Sequence, residues 1–463
     1  MTRIFRVFVP VTALVLLISE ILLITTAFII AVYLTLNVDP WVNLIYDGGL
    51  MHLIPVLLTI LLGMHFNDLY SQFYVKSRVV LLQQLCLVMG GAFMAQGLLS
   101  YMFPDLRVSA HVMAVGSALA VAVIYFWRVL FSTFAIKVMG RDSLLMVGGS
   151  PLLEDIAAHL EEHPELGLEL AGYVDDAHQP GDLLRGAKVL GKLPDLKEIV
   201  QATNPSRIVV GMSERRNRMP VADLLELRFS GHIIEEAGTA FERVCGRVCL
   251  KELRPAQLIY SGELGPRPQN LVVQTVMNRI VAALGLIIAS PVMAVTALAV
   301  KFSSPGPILY RQVRVGMDDV PFTVYKFRSM RADAEAATGA VTATKDDPRI
   351  TKVGKIIRKL RFDELPQLYN TLKGDMSIVG PRPERPEFVR ELSQKIPYYR
   401  QRHCVRPGIT GWAQVNFKYG ETLEDTMTKL EYDLYYIKNM SLSLDTYIIF
   451  HTIKTMLLSR GAQ

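Results

Sequence analysis

Cysteine and charged residues are both scarce in this chain of 463 residues. It has four cysteines, and Asp, Glu, Lys and Arg together make up 20% of it. Only Cys245 and Cys249 are close in sequence, and no histidine stands near them, so neither a zinc site nor a secreted disulfide framework is indicated. Hydrophobic residues make up 51% of the chain, and the mean hydropathy is +0.29. These values exclude an ordinary soluble enzyme.

The net charge of +6 and the pI of about 9.0 could suit a protein that binds nucleic acid. In a chain this apolar, a basic surface fits anionic lipid headgroups and phosphate-bearing substrates better. We therefore predict a lipid bilayer as a partner and no nucleic acid. The length suggests about three domains, and we place them at residues 1–138, 139–265 and 266–463.

The first domain contains four apolar runs, each long enough for the roughly 20 helical residues that cross a bilayer. These runs are approximately Val7–Leu36, Gly49–Phe66, Val79–Phe103 and Ala110–Phe134. The first is too long for the core of a signal peptide. Basic residues precede the first run, separate the second from the third and follow the fourth. This pattern predicts a four-helix transmembrane bundle with both ends in the cytoplasm.

The second domain alternates short apolar runs with amphipathic helical patterns, which predicts a parallel, doubly wound, Rossmann-like α/β domain. Its first strand, Ser143–Val147, leads into the turn Gly148-Gly149-Ser150. This turn lacks the full G-x-G-x-x-G pattern of a dinucleotide site. A bound cofactor and a cofactor-free structural or regulatory role both remain open.

A fifth apolar run, Ile280–Val300, opens the third domain and has Ser290-Pro291 at its centre. Proline removes a backbone donor and crowds the preceding turn, so we expect a kink or break. Ser290 can bond backbone groups freed in this way. Arg279 and Lys301 flank the run. We therefore predict a re-entrant helix that enters and leaves by the cytoplasmic face, with an ordinary bent span as the alternative.

A hairpin is predicted next, from Ile308–Val315 and Val320–Phe327 across a short turn. The second strand continues into the alternating pair Lys326 and Arg328, which should lie on the same side. Two cations on one side suit a diphosphate. A solvated strand face would have the same pattern.

The segment Arg349–Arg361 is predicted to be a basic amphipathic helix suited to a membrane surface or to phosphate. Asp363 and Glu364 then open another predicted helix, which ends near Gly374, with Asp363 at its N-cap. An adjacent acid pair can divide its work, one carboxylate attacking phosphorus and the other holding Mg²⁺. A simple helix cap would explain Asp363 equally well.

Two later segments are rich in proline, glycine and arginine. In Met376–Pro386 the prolines form a rigid turn that should project Arg382 and Arg385. In Arg406–Val415 a Gly/Pro loop carries one arginine, Arg406, and one tryptophan. Such a loop suits a nucleotide or a lipid headgroup.

Taken in order, these motifs resemble those of the bacterial polyprenyl-phosphate glycosyl-1-phosphate transferases. These are monotopic phosphoglycosyl transferases that begin exopolysaccharide and O-antigen synthesis. The motifs are Ser290-Pro291, Tyr325–Met330, Asp363–Leu368, Gly380–Pro383 and Arg406–Val415. The resemblance covers about residues 270–463, and the preceding bundle and α/β domain resemble the large members. It implies an α-rich catalytic domain with a re-entrant membrane helix broken at Ser290-Pro291.

The resemblance also implies a reaction. Asp363 would attack the sugar-bearing β-phosphate of a UDP-sugar, UMP would leave, and undecaprenyl phosphate would attack the phosphosugar–aspartyl intermediate. Glu364, with Asp363, would bind Mg²⁺. The other implied site residues are Lys326 of the Tyr-Lys-Phe motif, Arg358 at the polyprenyl phosphate, Arg382 and Arg385 at the nucleotide or its diphosphate, and Asp445 as a further acid.

By the same resemblance, the protein belongs in the bacterial inner membrane with its catalytic domain facing the cytoplasm, and a homodimer is plausible. The motifs do not name the sugar. Two alternatives stay open: direct attack by the lipid phosphate with Asp363 as a metal ligand, and a membrane scaffold or sensor that binds nucleotide sugar without catalysis. A nucleotide-sugar dehydratase or epimerase is disfavoured because the middle domain lacks a Tyr-x-x-x-Lys pair.

Overall fold

The computed structural model describes most of the chain. The described residues are 2–4, 7–9, 11–35, 39, 41–46, 48–67, 69–70, 78–138, 142–212, 219–251, 268–331, 334, 347–417, 420 and 422–457. They fall into two compact units, which consist mainly of Phe8–Ala237 and Gly238–Gln463. The predicted domain boundaries at 138/139 and 265/266 touch or fall within stretches outside the described residues.

The first unit begins with short strands and then long apolar helices. The strands are Thr2–Ile4 and Val7–Val9, and the helices are Val11–Thr35, Gly49–Phe66, Arg78–Met102 and Ala110–Val138. Each of these helices contains a stretch that is long and apolar enough to cross a membrane. The prediction of several long apolar helices near the N-terminus is thereby confirmed, and they fit a membrane protein.

A buried ion pair joins the first and fourth of these helices. Arg128 Nε donates to Glu20 Oε1 at 2.7 Å, and Arg128 Nη1 donates to the carbonyl of Leu69 at 2.6 Å. A charge in a membrane helix is costly unless it is paired. Since these partners satisfy one another, we assign Glu20 a structural role between the helices.

The α/β domain of the first unit has a six-stranded sheet. In chain order its strands are Asp142–Val147, Leu168–Val174, Leu183–Leu184, Ala187–Gly191, Arg207–Val210 and Ile233–Glu236, and its helices are Pro151–Glu162, Leu196–Thr203 and Val221–Phe229. The first of these strands lies at the centre, parallel to the second on one side and to the fifth on the other. The predicted α/β domain with a parallel sheet is confirmed, except that the short edge strand Leu183–Leu184 pairs antiparallel with its neighbour; the doubly wound arrangement stays a prediction. Gly148 has φ 100, a conformation that favours glycine.

The second unit combines helices with two small sheets. Its helices are Ala237–Cys245, at the unit boundary, Pro268–Ser303, Lys352–Lys359, Gln367–Lys373, Pro386–Lys395, Trp412–Asn416, Leu423–Asn439 and Leu442–Leu457. Leu309–Val315 and Pro321–Phe327 form the predicted antiparallel hairpin. Ser377–Val379 pairs in parallel with Gly408–Thr410.

The long helix Pro268–Ser303 differs from the expectation because it continues through Ser290-Pro291 without a break. Pro291 cannot donate to the carbonyl of Ile287, four residues earlier. The hydroxyl of Ser290 donates to that carbonyl instead, at 2.8 Å. This bond compensates for the missing donor, which explains why proline does not end the helix. The re-entrant path remains a prediction.

Candidate active site

The acid pair lies in a tight turn between two helices. Phe362–Glu364 forms a single 3₁₀ turn, and Arg361 before it has φ 57, in the left-handed region. The next helix is Gln367–Lys373, with Pro366 at its N-cap. The prediction that Asp363 caps this helix is wrong, because the left-handed turn at Arg361 delays the helix by three residues. The predicted end at Gly374 is correct.

Glu364 is held by three cations. Lys326 Nζ donates to its Oε1 at 3.1 Å, Arg382 Nη2 donates to the same oxygen at 2.9 Å, and Arg361 Nη1 lies 3.6 Å from Oε2. Burial opposes ionisation of Glu364, but these neighbouring cations together outweigh it and hold its pKa well below the ordinary value. Glu364 is therefore an anion that fixes the positions of three basic side chains.

Asp363, one residue away, has a different environment. It is buried, and its Oδ1 has no hydrogen-bond partner among the described residues. Burial raises the pKa of Asp363, as does the negative charge of Glu364, although Lys326, Arg358 and Arg361 oppose the shift. When ionised, this carboxylate is more basic than an ordinary aspartate and keeps an oxygen available to a reactant.

Both acids line a large basic cavity. The cavity has a volume of about 1770 Å³, and Lys and Arg outnumber Asp and Glu among its lining residues by thirteen to five. Arg358, Arg382 and Arg385 are among the basic residues. A cavity with this excess of positive charge is suited to substrates that carry several phosphate charges.

Sequence comparisons identify the family. The family described as bacterial sugar transferase matches residues 269–459. The UDP-glucose:undecaprenyl-phosphate glucose-1-phosphate transferase of Xanthomonas campestris is 32% identical over 403 residues, which cover 79% of this chain and 78% of that protein. The chain belongs to the bacterial sugar transferase family.

Other relatives match this transferase over shorter stretches. The UDP-N-acetylgalactosamine-undecaprenyl-phosphate N-acetylgalactosaminephosphotransferase of Aeromonas hydrophila is 48% identical over 222 residues. That match covers 48% of this chain and 52% of the relative. The UDP-glucose:undecaprenyl-phosphate glucose-1-phosphate transferase of Escherichia coli K12 is 36% identical over 313 residues, or 66% of this chain and 65% of the relative.

The two cations predicted to share one diphosphate have different partners in the transferase. Lys326 contacts Glu364, whereas Arg328 is buried and donates to the carbonyls of Val300, Ser304 and Pro305 at 2.6–3.3 Å. Arg328 therefore fastens the hairpin to the end of the long helix. Arg328 also lines the cavity, so its substrate-binding role stays a prediction beside this structural one.

Replacing Arg328 with methionine should destabilise the protein more than it affects substrate binding. The change leaves buried carbonyls without donors, at a cost of about 2–4 kcal/mol, which corresponds to a fall in Tm of roughly 5–10 °C. The change in Tm is measured by thermal unfolding in detergent. The control is Arg390→Met, which replaces an exposed arginine. A normal Tm combined with a large rise in KM for the nucleotide sugar would support the substrate-binding role instead.

Two further predicted site residues lie outside the lining of the cavity. Arg406 donates to the carbonyl of Gly374 at 3.0 Å and to Thr275 Oγ1 at 2.7 Å. Asp445 accepts hydrogen bonds from Gln274 Nε2 at 2.8 Å and from the Tyr436 hydroxyl at 2.7 Å, and burial raises its pKa to about 6. Both hold the long helix against the rest of the unit, and their predicted roles at the substrate stay predictions.

Sequence reasoning missed two arginines of the site. Arg361 closes the basic helical pattern, and its charge and position next to the acid pair could have indicated it. Arg402 gave no such signal. It is buried, and its Nη2 lies 2.8 Å from Asp433 Oδ2 and 2.9 Å from the carbonyl of Arg382, to which it donates. Arg402 thus supports the turn that carries Arg382.

The carboxyl groups of the site suit a metal ion that is also coordinated by the substrate. No cluster of three or more His, Cys, Asp or Glu that could hold a metal occurs among the residues described. Mg²⁺ is commonly held by one or two carboxylates together with substrate phosphates. Asp363 Oδ1 is an unpartnered buried oxygen of this kind, while both oxygens of Glu364 already face cations.

Proposed function

We propose that this transferase moves a sugar-1-phosphate from a UDP-sugar to undecaprenyl phosphate and releases UMP, by way of a covalent intermediate on Asp363. The observation that carries the proposal is the buried Asp363 carboxylate, with an unpartnered oxygen, in the wall of a basic cavity. The relatives' names, which give nucleotide sugars and undecaprenyl phosphate, support it. The reaction would be the first membrane step of exopolysaccharide or O-antigen synthesis.

In the first step an oxygen of Asp363 attacks the phosphorus that bears the sugar. The bond from this phosphorus to the bridging oxygen breaks, and UMP leaves with the electron pair. Arg382 and Lys326, held by Glu364, lie where they can offset the charge of the diphosphate and of the leaving phosphate. The phosphosugar remains on Asp363 as an acyl phosphate.

In the second step an oxygen of the lipid phosphate attacks the same phosphorus, and the Asp363 carboxylate leaves. A covalent intermediate divides one transfer between two bulky anions into two easier steps. Arg358, in the last turn of Lys352–Lys359, lines the cavity and is our candidate for holding the lipid phosphate. Ile356 and Leu360 beside it are 61% and 45% exposed, which suits a basic helix lying at a bilayer surface.

We also propose Mg²⁺ as the cofactor, which the Asp363 carboxyl group, through the oxygen that does not attack, would hold together with substrate phosphates, with Glu364 nearby. The metal would neutralise phosphate charge in the cavity. The proposed location is the bacterial inner membrane with the cavity on the cytoplasmic side.

A panel of nucleotide sugars tests the proposal. UDP-glucose, UDP-galactose and UDP-N-acetylgalactosamine are each mixed with the purified enzyme and Mg²⁺, with and without undecaprenyl phosphate, and UMP is measured. We expect one sugar to give a burst of about one UMP per enzyme without lipid, and continuous release with lipid, because the first step needs no acceptor. Turnover with lipid but no burst would indicate direct attack. No UMP with any of the sugars would favour a scaffold.

A further inference from the structure

Residues other than those around the acid pair also line the cavity, and Arg382 contacts both groups. The guanidinium of Arg382 bonds Glu364, while its backbone carbonyl accepts a hydrogen bond from Arg402. Tyr399 and Asp433 contact Arg402 and line the same cavity, and Gln414 is a further lining residue. We call the part lined by these four residues, Tyr399, Arg402, Gln414 and Asp433, the Arg402 end. The mechanism above uses none of them directly.

Arg402 is held rigidly at this end. Its Nη1 donates to the Tyr399 hydroxyl at 2.8 Å, and its Nη2 lies 2.8 Å from Asp433 Oδ2. Its Nε is buried and has no partner within the described part of the chain. A fixed guanidinium therefore keeps its Nε–H without an acceptor.

Gln414 contributes the complementary group. Its Nε2 lies 3.4 Å from the carbonyl of Ile409 and donates to it, which orients the amide. Its Oε1 is buried without a partner among the residues described. A Cβ placed on Gly411 would lie 3.4 Å from this Oε1 and 2.3 Å from the carbonyl oxygen of Gly380. Gln414 therefore stands beside Gly380, two residues before Arg382.

A buried donor and a buried acceptor that both lack partners are costly unless a ligand completes them. The acceptor also limits which ligand fits. A carbonyl oxygen without a donor repels a phosphate, which has oxygens and negative charge but no proton to give. A nucleobase edge, in contrast, presents a ring N–H beside a carbonyl oxygen.

We propose that the Arg402 end recognises the uracil of the nucleotide. Gln414 Oε1 accepts from the ring N3–H, and Arg402 Nε donates to a neighbouring uracil oxygen. The inference rests on the proposed function, because it assumes a uridine nucleotide in this cavity. It adds a specificity-determining residue, Gln414, and separates base recognition from the phosphate chemistry at Asp363.

The test compares UMP with N3-methyl-UMP, in which the ring donor is replaced by a methyl group. Binding of each to the full-length chain in nanodiscs is measured by calorimetry. The wild type should prefer UMP by about 10- to 100-fold. In Gln414→Leu the preference should shrink to about twofold, while the matched variant Gln312→Leu, another glutamine of the cavity wall, should keep it. The comparison of the two nucleotides on the wild type does not depend on whether any variant folds.

Kinetics separate this role from a general structural one. Gln414→Leu should raise KM for the UDP-sugar with kcat largely retained, because a lost base contact weakens substrate and transition state alike. The inference is overturned if the wild type binds both nucleotides equally or binds neither. It is also overturned if the Gln414→Leu variant keeps the full preference for UMP. If the UDP-sugar panel still shows UMP release, only base recognition fails; if it shows none, the proposed function itself fails.

Discussion

Replacement of Asp363 by asparagine is expected to lower transfer by at least about 10³-fold. Asparagine keeps the size and shape of the side chain, but its amide cannot form the acyl phosphate that the proposed first step requires. The measurement is UMP release from the UDP-sugar that the wild type uses, with and without undecaprenyl phosphate. The burst in the absence of lipid should disappear along with the turnover.

Isotope trapping gives this prediction a direct readout. A UDP-sugar labelled in the sugar-bearing phosphate is mixed with enzyme alone, and the protein is separated under denaturing conditions. The wild type should retain label that hydroxylamine releases, as expected of an acyl phosphate, and Asp363→Asn should retain none. Asp375→Asn is the matched control, because Asp375 pairs with Lys373 and is not among the residues that line the cavity.

The stability of the Asp363→Asn variant distinguishes chemistry from folding. Burial raises the pKa of Asp363, so the ionised carboxylate is not well accommodated in the folded protein. A neutral amide should leave Tm unchanged or slightly higher, as is common when a catalytic group is removed. If the variant is inactive and its Tm is markedly lower, unfolding explains the loss of activity. Full turnover by the variant would contradict the assignment of Asp363 as nucleophile.

Local patterns in the sequence predicted the elements of this fold and much of the site. Hydropathy alone located the apolar helices, and alternating patterns located the hairpin and the α/β domain. The basic helix appears as Lys352–Lys359, shorter than the predicted Arg349–Arg361, because Arg349 folds back onto Asp347 instead. Each of these features depends on residues that are close together in the sequence, so local patterns are enough to predict it.

The roles of individual arginines could not be predicted in the same way. Arg328 and Arg406 carry the charge expected of substrate ligands, yet each donates to backbone carbonyls of distant segments. Arg382 does reach Glu364, but the contact bridges 18 residues and depends on how the turn at Pro381 packs. Charge can be read from sequence, whereas the partner that neutralises it is decided by tertiary packing.

Glu364→Gln is expected to reduce kcat/KM on the order of 100-fold or more, although it removes no atom of the nucleophile. Glutamine is close to glutamate in shape, but it has no charge to hold Lys326, Arg361 and Arg382 together. The three cations would repel one another and lose their alignment with the diphosphate. The control is Glu387→Gln, which changes an exposed acid that is not among the residues lining the cavity.

The pH profile of Glu364→Gln should separate this electrostatic role from simple metal binding. In the wild type, burial and the charge of Glu364 raise the pKa of Asp363, so activity should fall on acidification at a pH above the ordinary aspartate value of about 3.9. Removing the negative charge of Glu364 takes away one cause of that rise and leaves the cations unopposed. The pKa of Asp363 then falls, and the acid limb should move to lower pH by about one unit or more. If Glu364 acted only as a metal ligand, added Mg²⁺ would restore the rate of the variant. We expect Glu364 to hold the three cations in place instead. Excess Mg²⁺ should therefore leave both the slow rate and the shifted acid limb of the variant unchanged.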